Sequence, residues 1–350
     1  MPDLIPISNL YYLLCYAWNA LDRDGWISID PEKIDAPRDL LAKMLSVTVK
    51  ILLKRGLARE YVACDGEVAG VRGKLEITET ISRNLLSRGR TWCSYDDRLT
   101  DTVPNRVILS AMNVLSRCAG IKGEIREELY RLMPYFGNVR LVPLTPMLCE
   151  NIRLDRNTRY YRFALDICAL VARNLRPSET PGQWRVDDFT RNPAQMNRLF
   201  EAFVRNFYAM EQRMYAVTAP KIVWQLIPEK PEDTAYIPEM RTDIVLESID
   251  SKLIIDTKFY RSALIEYWGK TSLNSASLYQ ITAYLRNSED ASEKSKRSAG
   301  MLLYPQNGAE LNLSYGYGTH TVKVCTVDLH KGWETIHNRL LEIVGLEKPR

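Results

Sequence analysis

Thr242-Asp243-Ile244-Val245-Leu246 and Leu253-Ile254-Ile255-Asp256-Thr257-Lys258 are the two stretches that decide the fold of the second half of this chain. Both are apolar and β-branched, and a short polar break separates them, so they predict the two strands of a β-hairpin. If the turn is centred near residues 249 and 250, antiparallel pairing sets Asp243 opposite Asp256. Side chains two apart on a strand share a face, so Lys258 points the same way as Asp256, roughly 7 Å further along. The pattern therefore predicts a cluster of two carboxylates and one ammonium group.

Two carboxylates that close in a dry site repel each other unless one takes up a proton or a cation lies between them. Oxygen ligands from Asp243, Asp256 and the backbone carbonyl of Thr257, completed by waters, suit Mg2+ better than zinc. A cation there lowers the pKa of a water and polarises a phosphoryl oxygen, while Lys258 orients the nucleophile. This chemistry predicts phosphodiester hydrolysis. The alternative is a solvated strand end, because Asp followed by Asp-x-Lys also occurs by chance in chains of this length.

The composition is ordinary for a soluble globular protein. The 350 residues are 46% hydrophobic and 26% charged, and they suffice for two domains. The formal charge of +4 is only mildly basic, which permits contact with nucleic acid without demonstrating it. No apolar run approaches the length of a membrane span, and Met1-Pro2-Asp3 does not open a secretory signal. We therefore expect a cytoplasmic protein that has no contact with membranes.

Cysteine and histidine usage excludes several kinds of site. The seven cysteines are odd in number and never form C-x-x-C, which favours reduced, buried thiols over disulfides or zinc. Only three histidines exist, all near the C-terminus, and nothing around them favours a histidine-activated nucleophile. The glycine-rich stretch 66–75 is not a nucleotide-binding loop, since Val68 stands where glycine is required and Leu75 where a hydroxyl is required.

The pattern of elements divides the chain near residue 155, after a stretch punctuated by Pro143 and Pro146. Residues 1–155 read as an α+β domain, with helices at 8–21, 39–55, 105–118 and 122–132 and strands at 60–63, 73–77 and 91–95. Residues 156–350 read as an α/β domain with a central mixed sheet flanked by helices. Its helices are expected at 157–174, 193–210, 275–285 and 333–344, the second capped by Asn192, and its strands at 221–226, in the hairpin, at 300–303 and at 322–327. The polar segment 286–298 has no periodicity and is expected to be a mobile loop.

The order helix, three strands, helix, strand around this hairpin resembles the PD-(D/E)xK nuclease core. In that superfamily an acidic residue on the preceding helix joins the metal site, a position that Glu201 occupies here; the alternative is a solvated helix face. Gln280 and Tyr284 match the Q-x-x-x-Y helix of one branch. Four residues apart, they share a helical face and are placed to contact a DNA phosphate or the lysine.

A closer resemblance covers most of the chain. It rests on Asn9-Leu10-Tyr11-Tyr12-Leu13-Leu14 with Tyr16-Ala17-Trp18, on Gly70-x-x-Gly73, on Asn157-Thr158-Arg159-Tyr160-Tyr161, on Met240-x-Thr242-Asp243-Ile244 and on Asp256-x-Lys258-x-Tyr260. These blocks resemble the McrC family, the nuclease subunits of the McrBC type IV restriction system. The resemblance implies a Mg2+-dependent endonuclease that cuts double-stranded methylated DNA only with a McrB-like hexameric AAA+ GTPase. It also implies that GTP is bound by that partner and that the N-terminal half stimulates its hydrolysis.

Two charged features are candidates for these contacts. Arg72, Lys74 and Glu76 alternate along a predicted strand and form our candidate contact with the GTPase; the alternative is a solvated hairpin. Four arginines recur every three residues and would share one helical side if their helix begins early, where they could neutralise DNA phosphates: Arg153, Arg156, Arg159 and Arg162. Ordinary surface arginines are the alternative.

The leading interpretation is thus a metal-dependent DNA endonuclease subunit that a separate GTPase activates. Asp243 and Asp256 hold Mg2+, Lys258 assists the attacking water, and Glu201 and Gln280 support them. Two alternatives stay open. One is an autonomous DNA repair nuclease with the same site, and the other is a non-catalytic adaptor or GTPase activator with a nuclease-like scaffold.

Overall fold

The computed structural model describes residues 5–20, 29–178, 183–259, 264–267, 270–308 and 310–346. Tyr260 of the Asp256-x-Lys258-x-Tyr260 block and Leu21 at the end of the first predicted helix lie outside these ranges. The chain forms two compact units, one of residues 38–187 and one that joins residues 1–37 to residues 188–350. Among the described residues, no helix combines the length and the apolar character needed to cross a bilayer.

The α-helices of the described ranges are α1 (Ile7–Ala17), α2 (Pro37–Arg55), α3 (Ile77–Ser82), α4 (Val103–Ser116), α5 (Gly123–Leu132), α6 (Pro146–Glu150), α7 (Arg162–Asn174), α8 (Pro193–Glu211), α9 (Ser275–Asn287), α10 (Glu293–Lys296) and α11 (Trp333–Ile343). The strands are β1 (Glu60–Ala69), β2 (Lys74–Leu75), β3 (Arg90–Leu99), β4 (Leu175–Pro177), β5 (Trp184–Val186), β6 (Ala216–Thr218), β7 (Lys221–Ile222), β8 (Met240–Arg241), β9 (Ile244–Glu247), β10 (Lys252–Thr257), β11 (Leu264–Tyr267), β12 (Lys270–Leu273), β13 (Ala299–Pro305), β14 (Asn312–Tyr317) and β15 (His320–Val327).

The unit of residues 38–187 combines a helical core with a small antiparallel sheet of order β1-β3-β2. β1 and β3 pair over their whole length, from Glu60 opposite Leu99 to Ala69 opposite Arg90. The chain reaches β2 through Gly73, which has a φ of +70°, and a Cβ there would lie 2.4 Å from the carbonyl oxygen of Ser94. Only glycine allows this approach, which accounts for the second glycine of the Gly70-x-x-Gly73 block.

Tyr161, the last residue of the Asn157-Thr158-Arg159-Tyr160-Tyr161 block, ties the sheet of this unit to its helices. Its buried hydroxyl accepts the N–H of Ala58 at 2.7 Å and donates to Oδ1 of Asn105 at 2.7 Å. Asn105 in turn donates to the carbonyl oxygens of Ala58 and Thr100 at 2.9 and 2.7 Å. The entry to β1 and the start of α4 are therefore fixed by one buried, fully paired polar group.

The other unit is built on a mixed six-stranded sheet of order β14-β15-β13-β10-β9-β6. β10, β13 and β15 run parallel in its centre, while β9, β6 and β14 are antiparallel to their neighbours. The central strands are buried nearly throughout, as expected for parallel strands between helices. Helix α9 packs on β10 and β13, α8 on β10, and α11 on β15. The predicted central mixed sheet flanked by helices is confirmed.

Helix α1 belongs to this second unit. Asn9 donates to the carbonyl oxygens of Leu329 and Lys331 at 2.8 and 2.7 Å, and the Tyr16 hydroxyl donates to Glu211 at 2.6 Å. The ring of Tyr16 also stacks on Trp333. The tyrosines of the first sequence block thus pack inside the unit that carries the C-terminal half of the chain.

The units therefore differ from the predicted division at residue 155. The residues from 156 to 187 remain with the helical unit because α7 packs on α4 and α6, whereas residues 1–37 join the second unit through α1 and α8. Contacts between residues far apart in sequence, rather than the prolines near position 145, set the limits of the units.

Several predicted elements also change. The strand expected at 221–226 is only Lys221–Ile222, paired with β8 outside the central sheet, and the edge strand of that sheet is β6 instead. The strand expected at 73–77 shrinks to β2 because α3 begins at Ile77. The expected loop 286–298 contains α10, which the side chain of Ser292 caps. The cap predicted at Asn192 is confirmed, since its side chain accepts the N–H of Gln195 at 3.1 Å.

Candidate active site

The hairpin has the register that the sequence predicts. Ile244 on β9 pairs with Ile255 on β10, so the next position sets Asp243 beside Asp256. Both carboxylates and Lys258 thus come together at the ends of paired strands. Asp256 is fully buried, while Asp243 and Lys258 are partly exposed, so the cluster reaches the surface on one side.

Asp256 and Lys258 form a close ion pair. The ammonium of Lys258 lies 2.9 Å from Oδ2 of Asp256 and donates a hydrogen bond to Oδ1 at 3.1 Å. The pKa of Asp256 is raised to about 6, chiefly by burial; Lys258 opposes the shift, and the negative charges of Asp243 and Glu201 add to it. A buried carboxylate with a raised pKa beside other acidic groups is a typical feature of catalytic centres.

Asp243 is anchored across the hairpin by Thr257. Its Oδ2 accepts the backbone N–H of Thr257 at 2.8 Å and the Thr257 hydroxyl at 2.9 Å. Thr257 is itself buried, so these two bonds fix where the Asp243 carboxylate points. The sequence prediction used only the Thr257 carbonyl, and the role of its N–H and hydroxyl is an addition from the structure.

Glu201 of α8 belongs electrostatically to the same cluster. Its pKa is raised, first by burial and then by the negative charge of Asp243, and Arg205 and Lys258 act in the opposite direction. Arg205 donates to Glu201 at 3.0 Å. One turn earlier on α8, Asn197 accepts the N–H of Phe259 at 2.9 Å and holds the chain just after Lys258. The sequence analysis missed Asn197, although its position four residues before Glu201 places it on the same helical face.

Gln280 and Tyr284 share a face of α9, as predicted, but Tyr284 points inward. Its side chain is 4% exposed. Its hydroxyl donates to the carbonyl oxygen of Arg241 at 2.7 Å and accepts Nε2 of Gln280 at 2.6 Å. Because the hydroxyl is buried and forms two hydrogen bonds, Tyr284 fixes the backbone two residues before Asp243. The contact of Tyr284 with DNA that the sequence suggests stays a prediction.

The residues that could hold a cation are Asp243, Asp256 and Glu201, with the carbonyl of Thr257. Within the described ranges, no three His, Cys, Asp or Glu side chains are grouped closely enough to hold a metal ion as they stand. The donor set nevertheless has the chemistry of a hard-cation site, since it consists of oxygen ligands whose charges act on one another. In addition, the buried Oδ2 of Asp256 has no hydrogen-bond partner, its contact with Lys258 being an ion pair without hydrogen-bond geometry.

The predicted partner contacts lie in the unit of residues 38–187, where they are engaged in local ion pairs. Arg72 pairs with Asp97 at 2.8 Å and lies over the ring of Tyr95 at 4.2 Å. Lys74 pairs with Glu76 at 2.8 Å. The three residues do not alternate along one strand, because β2 contains only Lys74 and Leu75 and Glu76 precedes α3.

The predicted arginine stripe is wrong as a helical face. Helix α7 begins only at Arg162, and the residues before it form a 3-10 turn from Arg159 to Tyr161 and an irregular segment. Asp155 and Thr158 stabilise that segment through mutual hydrogen bonds of 2.6 to 3.0 Å. The four arginines are nevertheless all exposed, and none forms an ion pair within the part of the chain that the structure describes.

Fold and site together define an α/β protein with a buried carboxylate and lysine centre at the ends of hairpin strands in a mixed sheet. A family model described as "McrBC 5-methylcytosine restriction system component" matches residues 22–305. The chain is 30% identical over 343 residues to the type IV methyl-directed restriction enzyme EcoKMcrBC of Escherichia coli (strain K12), with 97% of each covered. This chain therefore belongs to the McrBC 5-methylcytosine restriction system component family.

One solved structure shows the same fold, and a second is less similar. A chain of the refined half-complex from a tetradecameric assembly of Thermococcus gammatolerans McrB AAA+ hexamers with bound McrC matches with a TM-score of 0.56 and 15% identity, over 97% of this chain and 75% of that one. The cryo-EM structure of the Thermococcus gammatolerans McrBC complex matches at a TM-score of 0.41 and 19% identity, over 60% of each chain. The first of these likenesses supports the fold alone.

Proposed function

We propose that this chain is the Mg2+-dependent DNA endonuclease subunit of a GTP-dependent restriction complex specific for modified cytosine, with an active site of the PD-(D/E)xK type. The observation that carries the proposal is the convergence of Asp243, Asp256 and Lys258 at the ends of two paired strands. Family membership supports it, since the relative from Escherichia coli is a methyl-directed restriction enzyme. Such a complex acts in the cytoplasm, where its DNA substrate lies.

Asp243, Asp256, Glu201 and the carbonyl of Thr257 are the groups that would hold Mg2+. When bound, the ion supplies Lewis-acid chemistry at a phosphoryl oxygen and acidifies a water. Thr257 keeps the Asp243 carboxylate aimed into the site, and Tyr284 keeps the preceding backbone in place. Lys258 is partly exposed and carries a positive charge beside the buried Asp256, where it can orient the attacking water and offset charge on the phosphate.

The partner in this proposal is a McrB-like AAA+ GTPase hexamer, which binds the GTP. Its contact on this chain is the unit of residues 38–187, through Arg72, Lys74 and Glu76 beside the long β1 and β3 ladder. All three side chains are exposed or partly exposed. Ion pairing within the unit orders them, so they form a prearranged charged surface for a protein partner.

The proposed DNA contact also lies in that unit. Residues 38–187 carry 25 Lys and Arg against 17 Asp and Glu, a formal charge of +8, whereas the rest of the chain carries −4. The unit with the carboxylate cluster is therefore acidic, whereas the unit of residues 38–187 has the positive charge that DNA phosphates require. Arg153, Arg156, Arg159 and Arg162 are its candidates, since they are exposed and without ion-pair partners in the described residues.

The test is Asp256→Asn in the complex reconstituted with the partner GTPase, GTP, Mg2+ and methylated duplex. We expect cleavage to fall roughly a thousand-fold or more, because several kcal/mol of charge stabilisation in the transition state is removed. Stimulation of GTP turnover is expected to remain, and Asp250→Asn on the exposed turn of the same hairpin serves as the matched control. Cleavage that survives Asp256→Asn would overturn the proposed active site, and wild-type chain that never cuts would favour the adaptor.

A second arm separates the complex from an autonomous nuclease. The chain alone, with Mg2+ and unmodified duplex, is expected not to cut. Turnover by the isolated chain at the rate of the complex would contradict the dependence on the GTPase.

A further inference from the structure

A groove of about 350 Å³ opens beside the carboxylate cluster, between α9 and the chain around β8. It is lined by Trp224, Glu239, Met240, Arg241, Gln280, Ala283 and Tyr284. We call it the Trp224 groove. None of the roles assigned above to the catalytic residues explains why a tryptophan and an arginine line it.

Trp224 is held in place by bonds on both sides. Its indole N–H donates to the carbonyl oxygen of Pro238 at 2.7 Å, and the next residue, Gln225, donates to Oδ1 of Asn287 at 2.8 Å and to the carbonyl oxygen of Glu289 at 3.1 Å. The indole packs on the core of the unit and is half-buried. Since its one donor is already used inside the protein, the ring is available for stacking rather than for hydrogen bonding.

Two polar side chains of the groove retain hydrogen-bonding capacity for a ligand. Arg241 donates through Nε and Nη2 to Glu239 at 3.0 and 2.6 Å, while Nη1 has no partner among the described residues. Lys221 pairs with the same Glu239, so the three side chains carry one net positive charge. Gln280 donates to Tyr284, and its Oε1 accepts no hydrogen bond within the described ranges. The groove thus offers an aromatic face, a cation and an amide acceptor.

The Trp224 groove adjoins the backbone that leads to Asp243. The Arg241 carbonyl accepts the Tyr284 hydroxyl, and Asp243 follows two residues later. Along an extended chain this spacing is about 7 Å. That equals the axial rise of about two nucleotides of one DNA strand. A strand whose phosphate lies at Asp243 and Asp256 therefore brings a nearby nucleotide within reach of the groove that Arg241 lines.

We infer that the Trp224 groove holds a nucleobase of the strand being cut, stacked on Trp224 next to the scissile phosphate, with Arg241 supplying charge for the adjoining phosphate. This inference rests on the proposed function. The volume lies at the lower end of the range for small-ligand pockets, and stacking on an aromatic ring accepts any base. The groove therefore positions the strand and does not read the sequence.

The experiment compares Trp224→Ala, Trp224→Phe and the control Val223→Ala in the reconstituted complex, with methylated duplex as the probe. Val223 is the neighbouring residue, 81% exposed and outside the groove. Trp224→Ala is expected to raise KM for DNA roughly ten- to hundred-fold with kcat changed less than about threefold, the loss expected for one base-stacking contact. Trp224→Phe keeps most of the affinity, Val223→Ala behaves as wild type, and stimulation of GTP turnover is unchanged in all three.

Each other outcome overturns the inference. A wild-type KM for Trp224→Ala would show that the ring makes no stacking contact with DNA. Equal losses of DNA affinity in the Ala and Phe variants, together with lowered melting temperatures, would assign Trp224 a purely structural role. Loss of GTP stimulation makes the groove a contact with the partner protein. Should Trp224→Ala fail to fold, Arg241→Gln gives the same reading through KM. Asp256→Asn in the same assay distinguishes failure of this inference from failure of the proposed active site. If Trp224→Ala has a wild-type KM while Asp256→Asn is inactive, only the stacking inference is contradicted.

Discussion

Thr257 sets the alignment of the carboxylate pair, because its hydroxyl and N–H both bind the same oxygen of Asp243. Thr257→Val keeps the side-chain shape and removes the hydroxyl. A hydrogen bond to a charged group contributes about 1.5 to 3 kcal/mol, so we expect DNA cleavage by the complex to fall roughly ten-fold or more. The measurement is kcat for strand cleavage, with GTP turnover as the internal control.

Thr257→Ser is the matched control, since it retains the hydroxyl and is expected to stay close to wild type. If the Val variant cuts as fast as the Ser variant, the alignment of Asp243 does not depend on Thr257.

Asp166 of α7 gives a prediction on pH. Burial raises its pKa to about 6, and the charges of Arg162 and Arg173 only partly oppose the shift. A carboxyl with a raised folded-state pKa costs stability above about pH 6, and the cost disappears as the pH falls towards the ordinary value near 4. Asp166→Asn is therefore expected to stabilise the chain at pH 7.5, by at most about 3 kcal/mol, and much less at pH 4.5. Thermal melts at the two pH values measure this; an equal gain at both would exclude Asp166 as the titrating group.

The sequence was sufficient to predict that Asp243, Asp256 and Lys258 lie together, because this depends only on where one turn lies. The sequence was insufficient to predict which backbone groups Tyr284 and Asn197 contact. Which side of α9 is buried, and which backbone atom α8 reaches, depends on strands distant in the sequence. A four-residue spacing states that two side chains share a face without saying what covers it.

Gly300 controls the packing of α9 on the central sheet. A Cβ at this position of β13 would lie 2.6 Å from Cγ1 of Ile281 and 3.1 Å from Cδ1 of Leu285. Gly300→Ala therefore pushes α9 away, and overpacking of this kind costs about 1 to 3 kcal/mol. We expect a lower melting temperature and, because α9 carries Gln280 and Tyr284, slower DNA cleavage. Gly316→Ala on the edge strand β14 is the control, since no atom lies within 4 Å of its Cβ; equal effects of both substitutions would contradict this packing.

Elements with a strong period or cap were predictable, and short edge strands were not. Asn192 and Pro193 mark the start of α8, and its buried stripe follows the helical period. β14 was missed because Asn312, Ser314 and Gly316 interrupt any strand pattern, and it exists through pairing with β15. The apolar run after Lys221 resembled a strand, but its residues bind α9 through Gln225 instead.

Positive and negative charges are unequally distributed between the two units. If the unit of residues 38–187 grips DNA, replacing Arg153, Arg156, Arg159 and Arg162 by Gln weakens binding uniformly across sequences. It also reduces the slope of log K against log salt by about 3 to 4, since each phosphate contact contributes about 0.9. The measurement is DNA binding by the complex at several salt concentrations.

The matched control replaces four arginines of the same unit that are already paired with carboxylates: Arg131, Arg173, Arg176 and Arg185. Their loss is expected to change the slope much less. An unchanged slope in the first variant would assign the phosphate contacts elsewhere.

The sequence alone did not predict the limits of the two units, for a related reason. Prolines near residue 145 mark a local break in helical structure, whereas unit membership follows contacts such as Asn9 with Leu329, which join opposite ends of the chain. Only the folded topology brings those ends together.

The central claim is that the carboxylates around Asp256 bind a divalent cation, and Mn2+ binding to the chain tests it most directly. Loss of the electron paramagnetic resonance signal of free Mn2+ is followed for wild type, Asp243→Asn, Asp256→Asn and the exposed control Asp250→Asn. We predict that the first two substitutions each weaken binding roughly ten-fold or more, as expected for loss of a charged oxygen ligand, and that the control binds as wild type. Equal binding by all four proteins would contradict the account.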